Sequence, residues 1–270
     1  MVFYAIPSYN RPDGLYKKTL TVLKNYNIDS KDITIFLHTD EEKKSYESVI
    51  PKEYYGKIVV HYVAEPHKVG SSPKEKTVHY VNKGIGKIRN YIMDYYKLGE
   101  EVVSLDDDVN GFMMPVNGKL KPIKSFKELV KKAFDLCKEN KFSLWGLYPV
   151  CNAYFMKGTP ITKDLRFIVG SCVGFINKRR YVSLDLKEDY EFSLINYEKD
   201  GGLIRFNTIC VKHNTNSKKG GIGKDQHERL EGYKKASKYL MDKYADNVIL
   251  NKRKDGEILL RSFKNKTLKK

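Results

Sequence analysis

The chain has 270 residues, 41% hydrophobic and 31% charged, with a formal net charge of +17. It is long enough to bury a substantial core, and no apolar run approaches the roughly 18 residues that cross a bilayer, which excludes a helical membrane protein. The positive balance points to a polyanionic partner, although the excess of lysine over arginine fits a biased codon usage as well.

The opening stretch "MVFYAIPSYNRP" has neither a basic n-region nor a long apolar h-region, so no secretory signal is expected. "VFYAIP" (2–7) predicts a strand ending at Pro7, followed by the polar loop "SYNRPDG" and a helix carrying Tyr16, Leu20, Leu23 and Tyr26. Further strands are predicted over 33–39, 57–63 and 101–106, with a helix over 81–97 presenting Ile85, Ile88 and Ile92 on one face. Phe126, Leu129, Val130, Ala133, Phe134 and Cys137 form an amphipathic stripe. Buried strands are expected over 142–150, 166–176 and 203–213, and a short helix over 188–198. A Gly/Lys-rich loop (216–224), a helix over about 225–244 and a hairpin turning at Lys254-Asp255-Gly256 complete the chain. This order predicts an α/β fold with a mixed, mainly parallel sheet flanked by helices, and ligands outside the carboxyl ends of its strands.

The four cysteines, Cys137, Cys151, Cys172 and Cys210, lack CxxC spacing, which argues against a zinc site or a disulfide framework. A soluble protein of the reducing cytoplasm is the expectation.

Three consecutive carboxylates, Asp106, Asp107 and Asp108, end an apolar strand. Alternation places Asp106 and Asp108 on one side and Asp107 on the other, so two oxygen donors converge. Such a pair suits Mg²⁺ or Mn²⁺ holding a diphosphate; a solvated acidic turn held by lysines is the alternative. Glu188 and Asp189 fit either a general base or an ordinary acidic helix start. His213, at a strand end, fits a third metal ligand or a surface residue. Lys218, Lys219, Gly220 and Gly221 fit a basic loop over phosphates, without Walker A spacing. Arg89 is placed to pair with phosphate or with the acidic cluster.

"AIPSYNRPD", "HTDEE", "GIGKIRN", "LDDD" and "KEDYEF", in that order and followed by His213, resemble a GT-A-fold nucleotide-sugar glycosyltransferase across roughly residues 2–215. More narrowly, "IPSYNRP", "GIGKIRN", "SLDDD", "EDYEFSL" and the glycine pair look like the TET/JBP-associated DNA glycosyltransferases of phages and kinetoplastids. The resemblance implies a DXD motif in which Asp106 and Asp108, with His213, bind the divalent metal, and Asp107 lies among the donor contacts. It implies Asp189 as the base of an inverting transfer, with Glu188 as the fallback. Pro7, Ser8, Tyr9, Arg11 and Asp40 would meet the nucleoside of a UDP-sugar, and Arg89 with the 218–221 loop its phosphates. The implied acceptor is a 5-hydroxymethylpyrimidine in DNA, for which Trp145, Tyr148, Tyr154 and Phe155 are candidate stacking residues, with ordinary core or interface packing the commoner role for any one of them. Residues 216–270 are expected to pack on the 1–215 domain. Rival readings are a transferase acting on a polysaccharide, lipid-linked or protein acceptor, a non-catalytic nucleic-acid-binding module, and a metal-dependent nuclease or phosphotransferase.

Overall fold

The computed structural model describes residues 1–60, 84–213 and 226–262, with the side chains of the last stretch described from residue 230 onward. Strand β1 (Val2–Pro7) leads through α1 (Pro12–Leu15), a π-helical turn (Tyr16–Leu20) and α2 (Thr21–Asn25) to β2 (Ile33–Leu37). Then come α3 (Asp40–Val49), β3 (Lys57–Val60), α4 (Gly84–Tyr95), β4 (Glu101–Leu105), β5 (Val109–Val116) and β6 (Lys119–Pro122). The second half comprises α5 (Phe126–Asn140), β7 (Leu144–Tyr148), β8 (Ile161–Thr162), β9 (Cys172–Ile176), α6 (Glu188–Asp200) and β10 (Ile204–His213). It closes with α7 (Gln226–Lys243), β11 (Val248–Leu250) and β12 (Ile258–Leu260).

Among the described residues one large sheet runs β3-β2-β1-β4-β9-β7-β10-β5-β6, with β8 beside β10. β3, β2, β1 and β4 are mutually parallel, as are β7 and β10, while β9, β5, β6 and β8 pair antiparallel. Helices cover the sheet, so the expected α/β class is what forms. The carboxyl ends of β1, β2 and β4 open on one edge, where the loops that carry Ser8, His38 and the aspartates emerge.

The α5 stripe buries as its spacing predicts: Phe126, Phe134 and Cys137 are fully enclosed, and Phe126 stacks on Phe112 at 3.8 Å between ring centroids. Ser125 caps its start by accepting from the Glu128 amide, and Lys141 ends it in the left-handed region. The C-terminal hairpin β11–β12 forms at the expected turn. It shares a core with α7 through Leu240, Tyr244, Val248 and Ile258.

The hairpin β5–β6 adds to the expected elements; Asn117 and Gly118, both at positive φ, make its turn. Three expectations need correction. The strand expected over 166–176 is confined to Cys172–Ile176, because residues 164–171 instead form a cavity wall and an arginine seat. Cys151 and Cys210, 59 residues apart, are joined as a disulfide with Cα atoms 5.2 Å apart, whereas Cys137 and Cys172 are buried thiols. Finally, Trp145 is no surface platform. It is fully buried between Phe134 and Phe206 and lies over Gly174, where a Cβ would fall 2.0 Å from the indole. Among the described residues no helix is long and apolar enough to cross a membrane.

Candidate active site

The first-strand loop is fixed before any ligand arrives. The Ser8 hydroxyl donates to Asp107 Oδ2 at 2.6 Å and lies 2.7 Å from the Tyr46 hydroxyl. The Asn10 and Arg11 amides donate to Glu42 and to the Tyr46 hydroxyl, both at 2.9 Å. Glu42 also closes the capping box of α3 with Thr39. The acidic run after β2 is therefore a helix start. Asp40 is exposed there and does not line the cavity, whereas His38 does. Tyr9 meets His38 edge-on at 5.6 Å.

The expected strand stops at Leu105, so the three aspartates lie in the turn between β4 and β5 and each takes a different direction. Asp107 turns toward Ser8 and Arg11, whose Nη1 lies 3.4 Å from Oδ1. Asp106 faces Arg89 Nη2 at 3.7 Å. Asp108 meets His213 Nδ1 at 2.9 Å. That last contact bridges 105 positions and follows from register, because β5 pairs with β10 and an irregularity between Lys212 and His213 sets His213 opposite Val109. The hydrogen bond from His213 holds Asp108 below the usual carboxylate range. Burial alone would lower His213, but its bond to Asp108 outweighs this and raises it. Beneath the cluster, buried Thr19 in the π-turn donates to the Asp106 carbonyl at 2.7 Å and accepts from the Val109 amide at 3.0 Å. One residue thus pins both ends of the acidic turn.

Across the cavity, α6 begins with Glu188 and Asp189 after Lys187, which adopts the left-handed conformation at φ 61°. Arg89 joins the two groups: its Nη1 is 3.4 Å from Glu188 Oε1 while Nη2 reaches Asp106 and, at 3.2 Å, the Gly170 carbonyl. A Cβ at position 170 would sit 2.2 Å from that guanidinium, so glycine there is the seat of the arginine. The Gly170 amide in turn donates to Asp189 Oδ2 at 3.3 Å. Burial pushes both carboxyls above their ordinary values, Glu188 to about 8, and Arg89 pulls each the other way. A carboxyl raised toward neutrality is the better proton acceptor.

The three aspartates, Arg89, Glu188 and Asp189 line one cavity of about 1000 Å³ that reaches from Pro7, Ser8, Tyr9 and Arg11 to Lys187, Tyr190, Tyr233 and Glu257; His213 meets it through Asp108 and is not itself in the lining. Among the described residues no three His, Cys, Asp or Glu side chains cluster tightly enough to hold a metal by themselves. The expected trio is drawn as a pair, Asp108 with His213, plus an Asp106 turned to Arg89. A carboxylate and an imidazole still fit a divalent ion whose remaining positions go to diphosphate and water, as Mg²⁺ commonly binds. Lys218, Lys219, Gly220 and Gly221 lie outside the described residues. Tyr148 sits under Arg205, 5.2 Å from the guanidinium, and exposed Tyr154 carries Lys157 at 4.6 Å; neither lines the cavity, nor does Phe155.

Thr19, Phe167, Gly170, Tyr233 and Glu257 belong to the site but to no motif, whereas His38 and Lys187 open "HTDEE" and "KEDYEF" without being candidates there. Gly170 left the clearest trace, a glycine breaking the apolar run "RFIVGSCVGFI".

The sheet order and the acidic turn at the end of β4 define a GT-A-like fold. No protein-family model and no curated protein matches the chain. Among solved structures, the mannosyltransferase PcManGT from Pyrobaculum calidifontis, solved with GDP-Man and Mn²⁺, superposes with a TM-score of 0.50 and 11% identity over 91% of this chain and 64% of that one. S. aureus TarS (residues 1–349) gives 0.45 and 13% over 89% and 65%. Its complex with UDP gives 0.44 and 15% over 90% and 66%. The chain spans under two thirds of the length of each of these three structures, and at these identities the likeness is one of fold.

Proposed function

We propose that this protein is a metal-dependent, inverting glycosyltransferase that moves a sugar from a nucleotide sugar, UDP-linked, to a hydroxyl on a 5-hydroxymethylpyrimidine of DNA. The observation that carries the reading is Arg89, which ties a metal-suited acidic turn to a buried carboxylate pair inside one cavity. The solved neighbour that superposes best of those described binds GDP-Man and Mn²⁺, and the ordered motifs resemble the TET/JBP-associated enzymes. The net charge of +17 supports a polyanionic acceptor.

In this reading Tyr9, His38 and the Ser8–Arg11 loop receive the nucleoside, and Asp108 with His213, aided by Asp106, hold the ion. Bound there, a divalent cation neutralises charge on the departing diphosphate. Asp189 takes the proton of the acceptor hydroxyl as its oxygen bonds to the anomeric carbon. The bond from that carbon to the diphosphate breaks on the opposite side, which inverts the configuration. Glu188 shares Arg89 with Asp189 and keeps the pair from both being fully charged.

The test incubates the protein with labelled UDP- and GDP-hexoses, Mn²⁺ and duplex DNA containing 5-hydroxymethylcytosine. Sugar on the DNA with inverted anomeric configuration is the expected product. Transfer to a polysaccharide but not to DNA would refute the acceptor assignment, and DNA breakage without a donor would favour a nuclease.

A further inference from the structure

The two ends of the cavity differ in chemistry. Beyond Asp189 the wall is made of the rings of Phe167, Tyr190 and Tyr233. Phe167 and Tyr190 stack at 4.0 Å with 21° between their planes. Lys187 lies 5.1 Å from the Tyr190 ring and 5.0 Å from that of Tyr233, and its charge is met by Glu257 at 2.7 Å. Carboxyls outnumber cations here: Asp185, Glu188, Asp189 and Glu257 stand against Arg89 and Lys187, an excess that remains with Glu188 protonated. An anionic group entering this end would meet more negative than positive charge, so the ring that binds must itself be uncharged.

Just behind Phe167 the charge balance reverses. Arg166 and Arg205 share a single carboxylate, Asp164. Arg166 takes it at 2.9 Å through Nη2 and 3.0 Å through Nε. Arg205 bonds instead to neutral oxygens, Asn207 Oδ1 at 2.7 Å and the Phe167 carbonyl at 3.4 Å, and lies over the Tyr148 ring at 5.2 Å. Burial, with Arg166 nearby, pulls the Arg205 guanidinium down to about 10, as expected for a cation short of a counter-charge. The aromatic wall, with its buried Lys187 paired to Glu257, thus adjoins an under-neutralised arginine pair that lies outside the cavity lining, and a single chain segment, 164–170, carries parts of both.

We propose that this end of the cavity is a subsite for one nucleotide of a nucleic-acid strand, in which Phe167, Tyr190 and Tyr233 take the uncharged base and Arg166 with Arg205 take an adjacent phosphate. The inference rests on the transferase reading and deepens it. An uncharged glycan would fill the aromatic slot but offer the arginines only neutral hydroxyl oxygens and no counter-charge, whereas a base between phosphates satisfies both halves. Tyr233 and Glu257 belong to the C-terminal helix and hairpin segment, so that segment becomes a determinant of acceptor choice.

The experiment measures binding of three probes without donor: a short single-stranded oligonucleotide with one 5-hydroxymethylcytosine, the corresponding nucleoside, and a neutral oligosaccharide. Arg166→Gln, at a half-exposed side chain where folding is not at stake, and Arg205→Lys, which keeps the charge but loses the planar fork, should each weaken the oligonucleotide at least about threefold and leave the nucleoside unchanged. Loss of one phosphate contact should lower the slope of log affinity against log salt by about 0.7 in Arg166→Gln. Tyr233→Ala should weaken oligonucleotide and nucleoside alike. Unchanged oligonucleotide affinity and salt slope in the arginine variants overturns the phosphate half. Oligosaccharide binding that equals the oligonucleotide's and is lost in Tyr233→Ala overturns the nucleotide assignment. Binding of UDP- and GDP-sugars with Mn²⁺, measured in parallel, separates the two claims: its absence in the unaltered protein counts against the transferase reading, not against this subsite.

Discussion

Two acidic groups face each other across the cavity, and they are neutralised in different ways. In the turn after β4 Asp107 has Ser8 and Arg11, Asp108 has His213, and Asp106 faces Arg89. At the start of α6, Glu188 and Asp189 depend on that same guanidinium. Burial raises Asp106, Asp107, Glu188 and Asp189 alike, and of these five carboxyls only Asp108 is held below the usual range, by its bond to His213. The turn therefore offers one firmly ionised carboxylate, which suits cation binding, and the start of α6 a raised pair, which suits proton transfer. A partner of its own separates Asp108 from the groups that share Arg89.

The sharpest way to break this contrast is at the shared pair. Asp189→Asn should cost about 10²–10⁴-fold in transfer rate while donor affinity is retained. If Glu188→Gln produces that loss instead, the base moves by one position. Removing the shared cation comes next: Arg89→Met leaves buried carboxylates uncompensated and should destabilise the fold by about 3–5 kcal/mol, read in a urea titration. A neutral effect would mean the groups are better solvated than their burial indicates. Gly170→Ala pushes a methyl into the arginine seat, where the nearest nitrogen would be 2.2 Å away, and should cost about 1–3 kcal/mol. It should also reduce transfer by displacing Arg89, with little change in donor affinity. The smallest effect belongs to the individually partnered side. Ser8→Ala removes one of two partners of Asp107 and should cost about 1–2 kcal/mol, appearing as weaker donor binding with the rate at saturation preserved.

The sequence disclosed most of what is local and little of what depends on register. The α5 stripe could be read from its spacing because one helix face meets one core. The acidic triplet is legible as a cluster closing an apolar strand, but it lies in the turn after Leu105, so the partners of its three carboxylates are set by that turn and not by strand alternation. The Asn117-Gly118 turn was present as a signal, but its strands alternate weakly, with β5 mostly half-buried and β6 largely exposed. His213 is legible at a strand end as a candidate ligand, while its bond to Asp108 requires a strand pairing across 105 positions and an irregularity no local pattern encodes. An aromatic in an apolar strand such as Trp145 fits a core as well as a platform, and the space over Gly174 decides for the core. The Cys151–Cys210 pair escaped notice because spacing predicts metal motifs but not which strands bring distant cysteines together.

The central claim is that the aspartate turn receives a nucleotide sugar on a divalent ion. The most direct measurement is thermal unfolding of the protein and of Asp108→Asn with UDP- and GDP-sugars, each with and without Mn²⁺. The account predicts stabilisation by one donor only when Mn²⁺ is present, about 2.7 kcal/mol at a hundredfold excess over Kd, and its loss in Asp108→Asn. Stabilisation that is the same without metal, or that survives in Asp108→Asn, would contradict the assignment of the acidic turn.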